Sequence, residues 1–176
     1  MHRNTTKCKY ATNPCPCGFY NHPSKECACA EGVRKRYLNK ISGPLLDRID
    51  LHVEVTPVSY EELSKYEITS ESSADIRKRV LTARMIQEKR FEAYKELHCN
   101  AQMPGKMVRE VCRLDNTGTT ILKKAMEKLQ LSARAYDRIL KVARTAADMD
   151  GSDRILTEHV AQAIQYRQLD REGWLG

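Results

Sequence analysis

From about residue 60 to the end of the chain, apolar residues recur at the three- and four-residue spacing of amphipathic helices. The pattern predicts about five helices joined by short loops, and such helices pack naturally as a compact bundle. Ser72, Ser132 and Thr157 stand where helix N-caps are expected, and Gly151 suits a C-terminal cap. The apolar positions predicted to face the core are Ile76, Val80, Ala83, Phe91, Tyr94, Leu97, Ile121, Leu122, Ala125, Leu129, Tyr136, Ile139, Leu140, Ala143, Ala147, Val160, Ala161 and Ile164.

The front of the chain follows a different pattern. Residues 1–32 are rich in cysteine and proline and predict loops, and "VRKRYLNK" at 33–40 predicts a short basic helix that Ser42-Gly43-Pro44 ends. In "DLHVEV" at 50–55 apolar and polar residues alternate, which predicts a half-buried strand. We therefore expect a mainly α protein, with a helical domain over residues 59–172 preceded by a smaller domain over 1–58 that contains one or two short strands.

Five of the seven cysteines lie within residues 8–29. Cys15 and Cys17 form one close pair and Cys27 and Cys29 a second, so four thiolates are available for a structural Zn²⁺. One residue separates the members of each pair, whereas common zinc sites have two to four, and free thiols in a flexible loop are the alternative interpretation. Because no apolar run reaches the length of a membrane helix and the first residues are polar, we expect a cytoplasmic protein with reduced thiols and no membrane partner.

The net charge of the chain is +7, and one cluster of basic residues suggests a binding surface. Arg34, Lys35, Arg36 and Lys40 form a basic cluster on the predicted short helix. Such a cluster suits contact with the phosphates of DNA. The alternative is a solvated helix face without a ligand.

Three further arginines stand where an anion can be bound. Arg48 follows a predicted turn in "ISGPLLDRID", between Asp47 and Asp50. An arginine on a rigid turn can make a bidentate contact with phosphate, although an ion pair with either neighbouring acid is the simpler interpretation. Arg134 and Arg138 lie one turn apart at the start of a predicted helix, where the helix dipole favours anions. A solvated face is the alternative for that pair.

Three stretches occur together in one order: "NPCPCG" at 13–18, "RYLNKISGPLLDRIDLHVEV" at 36–55 and "LSARAYDRILKVARTAADMDG" at 131–151. In this combination the chain resembles the C-terminal portion of the magnesium-chelatase-like AAA+ ATPases, and within them the ComM/YifB competence-protein group. The similarity extends from about residue 11 to residue 170. It implies that residues 1–58 correspond to the end of the AAA+ α/β core and that the helical domain corresponds to the lid.

The resemblance also implies roles for single residues. Arg48 matches the arginine finger, which acts in trans on ATP bound by the neighbouring subunit of a ring. Asn13 matches the sensor-1 residue that orients the attacking water, and Arg134 matches the sensor-2 arginine of the lid, with Arg138 as the second candidate. ATP and Mg²⁺ are then the cofactors, other subunits of a homo-oligomeric, hexameric ring are the partners, and DNA processing or recombination is the implied task.

One departure from the family pattern limits these expectations. The chain contains no Gly-x-x-x-x-Gly-Lys-Ser/Thr phosphate loop and no apolar strand ending in two acids. We therefore expect no ATPase activity from this chain alone. A non-enzymatic, metal-clasped module that binds nucleic acid or a partner protein is the alternative function.

Overall fold

A computed structural model of the chain describes residues 9–60, 64 and 71–167. The chain forms two compact units, one ending at Ser42 and the other beginning at Gly43. The described residues contain seven α-helices, one 3₁₀ turn and no β-strand, so the expected mainly α fold is confirmed. The helices are α1 (Glu31–Leu38), α2 (Gly43–Leu46), α3 (Ser73–Arg90), α4 (Gly105–Val111), α5 (Asn116–Lys128), α6 (Ala133–Met149) and α7 (Thr157–Gln165), with the 3₁₀ turn at Asn100–Gln102.

The first unit consists of the cysteine-containing loop followed by α1. Among its described residues only Cys15 and Leu38 are buried. The predicted short basic helix is present, although it begins earlier than expected, at Glu31. A unit with so little buried apolar surface needs another source of order.

The second unit is a helical bundle around α6. This helix packs against α3, α4, α7 and the 3₁₀ turn, while α5 packs against α7. The buried side chains form one continuous core: Phe91, Met103, Val108, Cys112, Leu122, Ile139, Leu140, Ala143, Ala147, Ile155, Val160 and Ala163. Among the residues described, no helix combines the length and the apolar character needed to cross a membrane.

Local capping sets several helix ends. The Ser72 hydroxyl accepts a hydrogen bond from the Asp75 amide, and the Ser132 hydroxyl accepts one from Ala135, each 3.2 Å long. Gly151 adopts φ +65° after α6, in the left-handed region that favours glycine. These three predictions are confirmed. Thr157 was wrong as an N-cap: it is the first residue of α7, and its predecessor's amide donates to Nδ1 of His159 at 3.0 Å.

The strand predicted at residues 50–55 is not formed. These residues are irregular, and Leu51, Val53 and Val55 are exposed. A strand needs a neighbour that satisfies its amide and carbonyl groups, and the described part of the chain offers none. The His52 amide instead donates to the carbonyl of Tyr166 at the end of α7, over 2.9 Å.

Four predicted core positions are also wrong, among them Tyr94, which is 50% exposed. Ile76 and Val80 are each 43% exposed, because α3 contacts the bundle only from Ala83 onward. The helix was expected to continue to Leu97 but ends at Arg90. Tyr136, expected in the core, is 39% exposed.

A buried ionic network that the periodicity did not predict crosses the bundle. The Asp148 carboxylate, which is fully buried, accepts hydrogen bonds from Arg90, Asn100 and Arg144, with 2.7 Å from Asn100 and 3.1 Å from the Arg144 Nε. Arg144 also donates to the carbonyls of Ser152 and Asp153. Each partner is multiply hydrogen-bonded, and the network joins α3, the 3₁₀ turn and α6.

Candidate functional site

The four predicted metal ligands of the first unit converge. The Sγ atoms of Cys15, Cys17, Cys27 and Cys29 all lie within 4.8 Å of one another. Cys15 and Cys17 are 3.3 Å apart, and each is 3.6 Å from Cys27. Four sulfurs bound to a tetrahedral Zn²⁺ at about 2.3 Å would be about 3.8 Å apart, so the donor set fits such an ion. A disulfide, with its bond of about 2.05 Å, does not describe these distances.

The turn chemistry of the loop explains this convergence. The Gly18 amide donates to the Cys15 carbonyl over 3.0 Å, and Gly18 adopts φ +80°. Asn21 also has a positive φ, of 59°, which asparagine tolerates better than most residues. These two reversals return the chain, so that the second cysteine pair meets the first.

The thiols do not ionise equally. The backbone amide of Phe19 is the largest cause that lowers the pKa of Cys17, to about 6. The Cys17 amide favours the thiolate of Cys29 in the same way, but burial and the nearby Cys17 sulfur together raise the pKa of Cys29 to about 11. Thiolates at this spacing repel one another, so a divalent cation is what would allow all four to ionise together.

Of the four cations predicted to bind DNA, Arg34 is engaged within its own unit. Its guanidinium donates to the Cys29 carbonyl over 2.8 Å and lies 4.7 Å from the centre of the Tyr20 ring. This contact ties α1 to the cysteine loop. Lys35, Arg36 and Lys40 are exposed, although Lys35 pairs with Glu31 at 2.6 Å and Lys40 lies over the Tyr37 ring.

In the second unit, the turn that carries Arg48 is fastened on both sides. The buried Arg167, after α7, donates to the Ile49 carbonyl and lies 4.0 Å from the Asp47 carboxylate. Arg138 of α6 forms an ion pair with Asp50. Arg48 itself is exposed and forms no ion pair within the described residues. The simpler interpretation, in which Arg48 pairs with a neighbouring acid, is therefore wrong.

The two arginines at the start of α6 differ in their surroundings. Arg134 is exposed in the first turn and forms no ion pair among the residues described. Arg138 is half-buried and held by Asp50. Only Arg134 is therefore available to a ligand without breaking an existing contact.

Asn13 lies in the first unit, in an irregular segment rather than at the end of a strand. Its side chain is exposed and lies close to Gly18. A Cβ atom added to Gly18 would be 3.7 Å from the side-chain Nδ2 of Asn13. The local structure thus places Asn13 beside the cysteine loop. Its expected role toward a water molecule stays a prediction.

Comparison with known families explains why these motifs occur together. Residues 70–167 match the family model "Magnesium chelatase, subunit ChlI C-terminal", and residues 2–63 match "Magnesium chelatase, subunit ChlI". The chain belongs to this family. The two matched regions meet between residues 63 and 70, and the first extends beyond the contact boundary at Ser42.

Two relatives narrow the group. The chain is 40% identical over 161 residues to "Uncharacterized protein YifB" of Escherichia coli (strain K12) and 39% identical over 161 residues to "Competence protein ComM" of Haemophilus influenzae. Each match covers 92% of this chain and 30% of the relative. A ComM/YifB-type member of the magnesium chelatase family fits these findings, and the chain spans less than a third of the relatives' length.

The periodicity did not predict Arg167 as a structural residue. It follows the last turn of α7 and is nevertheless 1% exposed. Its partners, Ile49 and Asp47, are more than a hundred positions earlier in the sequence. No local pattern signals such a contact.

Proposed function

We propose that this chain carries the part of a ring-forming ATPase that completes the active site of a neighbouring subunit, with Arg48 as the arginine finger. The observation that carries this proposal is the fastened turn. Asp47 and Asp50 are engaged by Arg167 and Arg138, which leaves the Arg48 guanidinium exposed. An arginine held in this way stabilises the negative charge that develops on a transferred phosphoryl group.

We propose that two further residues take part in ATP hydrolysis. Arg134, at the positive end of the α6 dipole, suits contact with a phosphate as the sensor-2 arginine. Asn13 would orient the attacking water as sensor 1. Arg138 is reassigned to positioning the Arg48 turn, because contact with nucleotide would require it to leave Asp50.

ATP and Mg²⁺ are the cofactors of this proposal, and the residues of the chain fit only part of their binding. The arginines can contact phosphate oxygens, but the sequence has no phosphate loop and no acid pair that would hold Mg²⁺. This chain would therefore contribute charge stabilisation and subunit assembly. The phosphate loop and the acids that hold Mg²⁺ would come from sequence that the chain does not contain.

The test uses a hybrid in which residues 11–167 replace the matching part of the Escherichia coli relative. Arg48→Ala should lower kcat for ATP hydrolysis by about 10³ or more, while binding of a fluorescent ATP analogue is retained. Arg77→Ala is the matched control, because Arg77 is exposed and unpaired within the described residues. Normal hydrolysis by the Arg48→Ala hybrid, with the unsubstituted hybrid active, would contradict the proposal.

Action in trans can be tested separately. When Arg48→Ala subunits are mixed with unsubstituted ones, a finger acting on the neighbour predicts that hydrolysis falls as the substituted fraction rises. A finger acting within its own subunit predicts that each active subunit keeps its rate. The second result would contradict the ring arrangement, which we propose to be hexameric.

DNA is the proposed substrate of the ring. The support is the name of the Haemophilus relative, "Competence protein ComM", together with the exposed cations of α1.

A second candidate function, a non-enzymatic module held by metal, is favoured by the cysteine cluster. In that case Arg36→Glu/Lys40→Glu should remove the salt-dependent part of DNA affinity without any nucleotide present. An unchanged salt slope would contradict this second function.

We also propose that the cysteine cluster holds a structural Zn²⁺. Four protein sulfurs fill a tetrahedral shell, so no position is left for catalysis. The ion would organise the loop against which Arg34 and α1 are bound.

A further inference from the structure

A cavity of about 500 Å³ opens among α4, α5 and α6, and none of its lining residues is a ligand contact proposed above. Cys112, Leu122 and Leu140 line it and are each at most 3% exposed, so they belong to the bundle core. Leu114 and Met126 add further apolar lining. The volume lies within the range of pockets that bind small ligands or partner side chains.

The cavity also has a basic lining that no acid balances. Arg109, Arg113 and Lys123 line it, and none of the lining residues is acidic. All three are exposed, and neither arginine forms an ion pair with another described residue. Lys123 lies 4.0 Å from the Glu127 carboxylate, but both side chains are exposed, so this ion pair contributes little to stability. The charge of the cavity therefore favours an anionic ligand.

Two of the uncharged polar groups among the lining residues, the Thr119 hydroxyl and the Cys112 thiol, are not available to a ligand. The Thr119 hydroxyl donates to the Asp115 carbonyl over 2.8 Å. Burial raises the pKa of the Cys112 thiol to about 11, so this sulfur is neutral and behaves as an apolar atom. The polar edge of a nucleobase would therefore depend on the exposed lining cations and Tyr136, whereas an aliphatic or aromatic side chain needs no polar partner.

We infer that this cavity binds an acidic peptide segment of a partner protein, which places one large apolar side chain against Leu114, Met126 and Tyr136. The carboxylates beside that side chain would pair with Arg109 and Arg113, whose planar guanidinium groups suit bidentate contact. The half-exposed Tyr136 ring adds apolar area at the edge. This inference is independent of the proposed ATPase role.

The test titrates the isotope-labelled chain with a short fluorescein-labelled peptide of glutamate and aspartate that has one central phenylalanine. The amides of residues 109–126 and 136 should shift, and the phenylalanine peptide should bind about tenfold more tightly than its alanine counterpart, a difference of about 1.4 kcal/mol. Arg109→Glu/Arg113→Glu should lower the affinity by about tenfold or more. Arg77→Glu/Lys89→Glu is the matched control, with the same charge change at exposed positions of α3.

Several results would overturn the inference. Equal loss in both double variants would mean that net charge, and not this cavity, governs binding. Equal affinity for the phenylalanine and alanine peptides would remove the apolar insertion. An oligothymidine strand that displaces the peptide and shifts the same amides more strongly would make the cavity a nucleic-acid site, and shifts that depend on protein concentration alone would make it a self-association surface.

Discussion

The two units of this chain reach order by different physical means. The described part of the first unit buries only Cys15 and Leu38, and its compactness lies in four sulfurs drawn together by backbone reversals. The second unit has a continuous core of twelve buried residues. Burial of apolar side chains stabilises the second unit without a ligand, whereas the first has too little such area to hold a single structure by itself. This difference is the reason for proposing that an ion orders the cysteine-containing unit.

The two units also differ in how their ionisable groups are compensated. In the first unit, the Phe19 amide and the neighbouring thiols lower the pKa of Cys17, whereas burial and the Cys17 sulfur raise the pKa of Cys29. In the second unit, the Asp148 carboxylate is buried but surrounded by Arg90, Arg144 and Asn100. The bundle supplies its own counter-charges, whereas in our proposal a Zn²⁺ ion supplies the counter-charge of the cysteine cluster.

Removal of metal should disorder the first unit and leave the second unit folded. Structural zinc sites bind with about 10–16 kcal/mol of apparent free energy at neutral pH, so a strong chelator or Cys15→Ser/Cys27→Ser should disorder residues 15–29. Mass spectrometry should find one zinc per native chain, and the amide resonances of this loop should collapse without it. The urea midpoint of the bundle should not change. Cys99→Ser, outside the cluster, is the control, and a loop whose resonances survive chelation would contradict the zinc proposal.

Asp148→Ala should instead destabilise the helical bundle of the second unit. It leaves the buried Arg144 and the partly buried Arg90 without their carboxylate, at a cost of about 3–5 kcal/mol in the free energy of unfolding. Urea denaturation followed by circular dichroism measures this loss. Zinc content should stay unchanged.

Glu127→Ala is the matched control for Asp148→Ala. Its pair with Lys123 is exposed, so removal should cost less than about 1 kcal/mol. A loss for Asp148→Ala no larger than this control would contradict the importance of the buried network.

Acid should weaken the second unit through His52. Burial, and then the charge of Arg167, lower the pKa of His52 to about 4 from its ordinary value of 6.5. Between these values the unfolded chain takes up a proton that the folded chain does not, so the stabilisation is present above pH 6.5 and is lost as the pH falls toward 4. The contribution to the slope should be below about 1.4 kcal/mol per pH unit, since the ring is only half-buried.

His52→Gln isolates this effect from the other acid-sensitive groups. Urea midpoints measured at several pH values should fall less steeply for the variant than for the native chain. Parallel curves would show that His52 does not sense pH. A matching fall in zinc content with pH would belong to the thiolates of the first unit.

The smallest effect should come from the ion pair that fastens the Arg48 turn. Asp50 and Arg138 are partly exposed, so Arg138→Ala should cost at most about 1 kcal/mol in overall stability. Hydrogen exchange at the His52 amide, which bonds to Tyr166, should nevertheless accelerate. The reversed pair Asp50→Arg/Arg138→Asp should restore protection, and Arg134→Ala should leave it unchanged. Unchanged exchange in Arg138→Ala would show that the pair does not hold the turn.

Much of the fold was predictable because its signals are local. Ser72, Ser132 and Gly151 act on backbone groups within a few residues of themselves, so sequence spacing was enough to place them. The cysteine spacing likewise predicted a cluster that turns at Gly18 and Asn21 bring together. The predictions failed where a residue's environment depends on distant neighbours. Ile76 and Val80 have helical spacing, but no described helix covers them, and residues 50–55 alternate but have no partner strand in the described part of the chain.

Periodicity and spacing were enough to predict most of the helices, several of their caps, the family and the convergence of four cysteines, because these features depend on short-range geometry. Only the tertiary structure decided which charges are paired. Asp50 meets Arg138, and Ile49 meets Arg167, across separations of 88 and 118 positions. These contacts arise because the packed bundle brings distant segments to one surface, and they are what leaves Arg48 exposed between two occupied acids.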